Sequence, residues 1–162
     1  MSEPWMRGTH GELDTLRRAV VHALEQAEED TEKWAAPLSE EQIFARPAGL
    51  PSVAFHLRHM VRSLDRLLTY AESRILDEQQ LQALATEHEP GDALDVLEEA
   101  RKGLASAKER VRSFSPAQYE LPRGIGRQRL PTTVGSLLIH CAEHTQRHIG
   151  QAITTAKVVE AT

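Results

Sequence analysis

The strongest constraint on this chain is a helical repeat of apolar residues that recurs in four separate stretches of about 20 residues each. The first runs from Glu12 to Trp34 and sets Leu13, Leu16, Val20, Ala23, Leu24, Ala27, Thr31 and Trp34 on one face. Thr9 and Glu12 have the spacing of a capping box at its start, and Pro37 closes it. The second opens behind Pro51 with Ser52 as its N-cap and carries Val53, Leu57, Met60, Val61, Leu64, Leu67 and Leu68 to Ser73. The third lies between Asp92 and Phe114, after the Pro90-Gly91 breaker, and Pro116 stops it. The fourth starts at Thr132 or Thr133 and holds Val134, Leu137, Leu138, Cys141, Ala142, Thr145, Ile149, Ala152 and Ile153. A striped helix is stable only when its stripe is covered, and four of them cover one another. The expectation is an all-α fold, a four-helix bundle, in one domain over residues 1–162.

The joints are shorter on signal. Leu81 and Leu84 give Asp77 to Glu87 the spacing of a short helix, and Ser39 to Phe44 has room for a single turn. Ser115 to Pro131, with Gly124, Gly126 and three prolines, reads as a long irregular connection of the kind that borders a site. The formal charge of −5 argues against a nucleic-acid partner, which needs a basic surface to displace counterions. Arg123, Arg127 and Arg129 form only a small basic cluster. No apolar run approaches the ~20 residues of a membrane span, and Met1-Ser-Glu-Pro-Trp-Met-Arg7 lacks the apolar core of a signal peptide. A single cysteine, Cys141, leaves no intrachain disulfide framework and fits a reducing compartment, so a cytoplasmic location is expected.

His140, His144 and His148 then stand at intervals of four residues on the fourth helix. Four residues turn a helix by roughly 400° and rise roughly 6 Å, so neighbouring rings share a face. Two neutral imidazoles at that spacing suit one ion of zinc, nickel or iron. The outer two of the trio are about 12 Å apart along the axis, too far for one ion to take all three. A complete site therefore needs a ligand from another helix. The second helix offers His56 and His59. At ~100° per residue His56 lies about 80° and His59 about 140° from the centre of the apolar stripe, so periodicity favours His56. Other designs fit worse: Glu-x-x-His, His-Glu-x-x-His and Gly-x-Ser-x-Gly are all absent, and Cys141 falls nearer the apolar centre of its helix, where it reads as core.

Two segments carry more than spacing. In Ser52-Val-Ala-Phe-His-Leu-Arg-His-Met60 a histidine follows a small hydroxylated helix-start residue by seven positions, and the fourth helix contains His144-Thr-Gln-Arg-His-Ile-Gly-Gln151. In that order, and with the helices between them, they resemble the DinB-like (YfiT-like) superfamily of metal-binding four-helix bundles. The resemblance implies one divalent ion held by His59, His144 and His148, with solvent in the remaining positions, and so favours His59 where periodicity favours His56. It also implies a metal-dependent enzyme acting on a small molecule, either a transferase that uses a low-molecular-weight thiol or a hydrolase that uses metal-bound water. A non-catalytic metal-binding or interaction module is the alternative. The partners expected are a small-molecule substrate, with no nucleic acid and no membrane; self-association into a homodimer is left open.

Several other residues have two readings. Asp65 is either an orienting carboxylate or half of a surface pair with an arginine, and Glu143 and Arg147 are spaced as an outer i,i+4 pair. Gly150 has the size for a close helix contact, and Gln151 offers an amide to a neighbouring backbone. His140 is a third rung or an edge residue, and Trp5 is a lid over the site or a staple for the N-terminal arm. Arg123, Arg127 and Arg129 are the cations that a thiol-binding pocket would use.

Overall fold

Each of the four apolar repeats forms a long helix in the computed structural model: α1 (Thr15–Trp34), α3 (Val53–Ala71), α5 (Ala93–Ser113) and α6 (Val134–Glu160). The structure describes residues 2–161, so Met1 and Thr162, the ends of the expected domain and the first residue of the expected leaderless start, lie outside the described residues. Two short helices, α2 (Glu40–Phe44) and α4 (Glu78–Ala85), fill the joints where a single turn and a short helix are expected. Both carry capping boxes, on Ser39 with Gln42 and on Asp77 with Gln80. The long helices form a ring in which α3 and α1 each lie against both α5 and α6. Leu24 of α1, Leu57, Met60, Leu64 and Leu68 of α3, Leu104 of α5, and Leu137 and Leu138 of α6 fill the centre, all buried. Among the described residues no helix is long and apolar enough to cross a membrane.

The stop and start signals mostly hold. Ser52, Asp92 and Thr133 each cap the helix behind them, accepting from Phe55, Leu94 and Ser136 amides. The first helix differs. It starts at Thr15, not Glu12, because Asp14 accepts from the Leu16 and Arg17 amides and the Tyr119 hydroxyl donates to the same carboxylate at 2.7 Å. Thr9, the expected cap, instead places its hydroxyl 3.0 Å from Nε2 of His22.

The expected irregular connection after α5 also needs correction. It contains an antiparallel hairpin, β1 (Pro122–Ile125) and β2 (Leu130–Thr133), with Ile125 opposite Leu130. Gly126 and Arg129 turn the chain with φ of 68° and 49°. Pro122 begins β1, where a missing amide does least harm, and both strands are too short to show alternation. Arg123 donates to the Ala71 carbonyl at 2.7 Å, tying the hairpin to the C-terminal end of α3.

One glycine sets a helix spacing. A Cβ on Gly103 of α5 would lie 2.5 Å from the Val61 Cβ of α3, inside any real contact distance. The two backbones approach as closely as they do because the position is bare.

Candidate metal centre

The Ser52 cap fixes the phase of α3, placing His56 one turn and His59 two turns into the helix. Thr133 does the same for α6. The two helices run in opposite directions, so His56 meets His148 and His59 meets His144, with ring centroids 5.4 and 5.1 Å apart. His59 and His148 are 4.5 Å apart by the same measure, and His144 and His148 are 4.4 Å apart. One ring nitrogen from each of His59, His144 and His148 lies within 4.8 Å of the others, close enough to surround one cation.

The outer nitrogens decide which atoms are free. His59 turns Nδ1 to Oε2 of Glu87 at 2.7 Å, so Nδ1 carries the proton and Nε2 keeps its lone pair for the cluster. Nδ1 of His148 is 3.2 Å from Nδ1 of His56, and one of the two must donate. If His148 uses Nε2 as a ligand, its Nδ1–H donates and His56 accepts, with the His56 proton on its own Nε2. His56 is only 3% exposed. Periodicity therefore ranked burial correctly: the more inward ring packs behind the cluster. His144 has a buried Nδ1 with no hydrogen-bond partner among the described residues. A buried orphan of this kind calls for an explanation, and a cation among the three rings is one.

Burial also keeps the rings uncharged. It is the first cause that lowers His144 to about 4 and His148 to about 3, with the neighbouring imidazoles adding to it, and it lowers His56 to about 4 in the same way. Neutral imidazole is the form that coordinates, so His144 and His148 are ready at neutral pH. Glu87 behaves oppositely. Burial pulls its pKa up, but the hydrogen bond from His59 and the charge of Arg66 outweigh that, and the carboxyl stays below its ordinary range.

Glu87 lies in the connection after α4, which a ladder of arginines on α3 holds in place. Arg58 donates to the Glu89 carbonyl at 2.5 Å, Arg62 to the Ala83 carbonyl at 2.7 Å, and Arg66 to Oε1 of Glu87 at 3.4 Å. The same connection sends His88 onto Phe55 at 4.1 Å between centroids, and Phe55 stacks in turn on His59 at 5.4 Å.

The other expected participants fall elsewhere. His140 is an edge residue, 3.4 Å from Oε2 of Glu143, and Glu143 thus turns to His140 and not to Arg147. Asp65 pairs with Arg110 at 2.6 Å, as the surface-pair reading had it. Cys141 is fully buried in the core, and burial pushes its thiol up to about 12. A Cβ on Gly150 would meet open space, so it marks no close helix contact. Arg123 is anchored at Ala71, about 18 Å along the α3 axis from His59, so the basic cluster does not line the centre. Trp5 is 65% exposed and borders a cavity with Thr9, Thr15, Arg18 and His22 of the N-terminal arm and α1, so it is not a lid over the three histidines. Sequence reasoning missed Glu87 altogether, since nothing local relates it to a histidine 28 residues earlier.

A cavity of about 310 Å³ adjoins the cluster at His56 and is bordered by Pro51, Arg147, Gln151, Thr154 and Thr155. No curated protein matches the chain. The family model described as the DinB superfamily does match it, over residues 23–152. Because that match takes in both the helix with His59 and the helix segment with His144 and His148, this chain belongs to the DinB superfamily.

Proposed function

We propose that the chain is a metal-dependent enzyme that acts on a small molecule, with one divalent ion of zinc, nickel or iron held by His59, His144 and His148. The observation that carries this reading is the convergence of three ring nitrogens within 4.8 Å while the outer nitrogens of His59 and His148 are already engaged. Among the described residues no fourth histidine, cysteine or carboxylate joins the group, which supports an exchangeable position. When bound in such a site, a divalent ion lowers the pKa of a coordinated water or thiol and polarises a substrate oxygen. The protein's own contribution is positional. Glu87 and His56 fix the ring orientations, burial keeps protons off His144 and His148, and Phe55 stacks between His59 and His88. Arg147 and Gln151 offer polar contacts in the adjoining cavity, which is of a size for a small substrate. A low-molecular-weight thiol is the favoured co-substrate class, with ester or amide hydrolysis as the second arm.

The test is metal analysis of protein purified without a histidine tag, followed by titration of the cobalt-substituted protein with small thiols and azide and by assays of thiol transfer and ester hydrolysis. A perturbed cobalt spectrum with turnover in either assay is expected. A perturbed spectrum with no turnover in both would favour a binding module, and an unresponsive spectrum would make the site closed.

Two further outcomes follow from the surroundings of the rings. Glu87→Gln keeps the shape of the carboxylate but removes its charge, and a partner of this type is worth 10–100-fold in affinity, so a loss of about tenfold in a chelator competition is expected. The pH profile follows from the lowered ring values. The unfolded chain takes up protons on these histidines near 6.5 while the folded one resists until about 4. Metal-free protein should thus be most stable above pH 6.5 and lose stability progressively as the pH falls towards 4, read as a falling melting temperature. Bound metal should be retained through the pH 6 to 5 range, where ordinary imidazoles release it, and be lost near pH 4.

A further inference from the structure

A second cluster of ligand-type side chains lies on the opposite side of α1 from the bundle core. His22 and Glu25 stand three residues apart on α1, and His10 reaches them from the segment before the helix. One ligand atom from each lies within 4.8 Å of the other two. His10 holds its place with a backbone φ of 58°, in the left-handed region that a non-glycine residue seldom adopts. Nε2 of His10 is 2.7 Å from Oε1 of Glu25, and the His10 and His22 rings are 5.5 Å apart between centroids. The side chains of His10 and Glu25 are 17% and 24% exposed and His22 is buried, so this is a sheltered cleft. Burial lowers the pKa of His22, leaving its ring neutral with a lone pair to give. His10 and His22 both precede the residues that match the family model.

From this geometry we infer that His10, His22 and Glu25 bind a second divalent transition-metal ion, of the zinc class, which clasps the N-terminal segment to α1. Two imidazoles and one carboxylate are a zinc-type set, and Glu25 supplies negative charge that the three-histidine centre lacks. The groups facing the cluster make a definite demand on the His10 ring. An Arg112 Nη2 lies 3.2 Å from Nδ1 of His10, and Oε1 of Glu12 lies 3.8 Å from the same atom. Arg18 faces His22, and the Thr9 hydroxyl sits 3.0 Å from its Nε2. A neutral imidazole has one proton and one lone pair. Without an ion, Nε2–H of His10 donates to Glu25 and Nδ1 accepts from Arg112. With an ion on Nε2, the proton resides on Nδ1, which then needs an acceptor; Glu12 takes over from Arg112, whose other contact with Glu109 at 3.0 Å is already formed. Arg112 is thus a competitor of the ion and Glu12 its supporter.

The experiment uses the full chain carrying His144→Ala and His148→Ala, so that binding at the first centre does not obscure the result. Zinc is titrated by calorimetry and cobalt by its visible absorbance, with the melting curve and helicity checked for each variant. One remaining equivalent is expected in that background. Adding Glu25→Gln or His10→Ala should weaken it at least about tenfold, Glu12→Gln should weaken it less, and Arg112→Gln should strengthen it. Zinc should also protect the segment around Arg7 from limited proteolysis. Because His10→Ala removes a contact of the N-terminal segment, Glu25→Gln, which preserves shape, is the deciding variant. No binding in the background protein, or binding that survives both Glu25→Gln and His10→Ala, overturns the assignment and leaves the first centre untouched.

Discussion

Replacing His144 or His148 by alanine is expected to weaken divalent-metal binding by more than about 100-fold, since losing even an outer partner of a metal ligand costs 10–100-fold. Each substitution leaves two protein ligands where the geometry brings three ring nitrogens within 4.8 Å. His59→Ala should match this loss. His56→Ala should cost only about tenfold, because that ring supports His148 through Nδ1 and adds no ligand atom to the group. Competition against a chelator of known affinity orders the four variants, and the shift of melting temperature on adding zinc gives an independent reading. Loss of metal in His56→Ala with retention in His59→Ala would reverse their roles and return the ligand to the position that periodicity favoured.

The second large effect concerns the scaffold. From sequence alone, Gly103→Ala should help, because alanine in a helix interior is worth about 1 kcal/mol over glycine. The structure gives the opposite sign. The new Cβ would stand 2.5 Å from the Val61 Cβ and 2.9 Å from its Cγ1, and a Cβ cannot rotate out of the way. We expect Gly103→Ala to destabilise the fold by about 1–3 kcal/mol and Gly103→Val by more, measured by urea unfolding. Val61→Ala should fail to rescue Gly103→Ala, since the nearest clash is with the Cβ itself, whereas Val61→Gly should show favourable coupling in a double-mutant cycle. A Gly103→Ala protein more stable than the parent would disprove this account of the α3–α5 contact.

The long helices were legible because each signal for them is local. The stripe of Leu57, Met60, Val61, Leu64 and Leu68 and the caps at Ser52, Asp92 and Thr133 need only a few neighbouring residues to act. The start of the first helix was misplaced because a cap signal at Thr9 and Glu12 is only local, whereas the cap that forms is Asp14, which Tyr119 supports from 105 residues away. The hairpin was hidden for a different reason: four-residue strands that begin or continue with Pro122 and Pro131 show no alternation to read. At the centre, the motif positions brought His59, His144 and His148 into view. The roles of His56 and Glu87 depend on which nitrogen of a ring faces which neighbour, and that is a tertiary fact.

The antiparallel pairing of His56 with His148 joins points 92 residues apart in the chain. At a synthesis rate of 5–20 residues per second, roughly 5–18 s pass between the making of one ring and the other. Through that interval α3 carries His59 with no α6 beside it, so a nascent chain has no three-nitrogen cleft to offer. The three ring nitrogens can be offered to an ion only once α6 has packed against α3. Three uncharged imidazoles follow the general rise in affinity along the first-row divalent ions to copper, so geometry and metal availability decide which ion such a site takes in a cell. An ion proposed for His59, His144 and His148 would accordingly follow the metals that the packed α3–α6 pair meets, and the same chain made under different metal nutrition would then carry different metals.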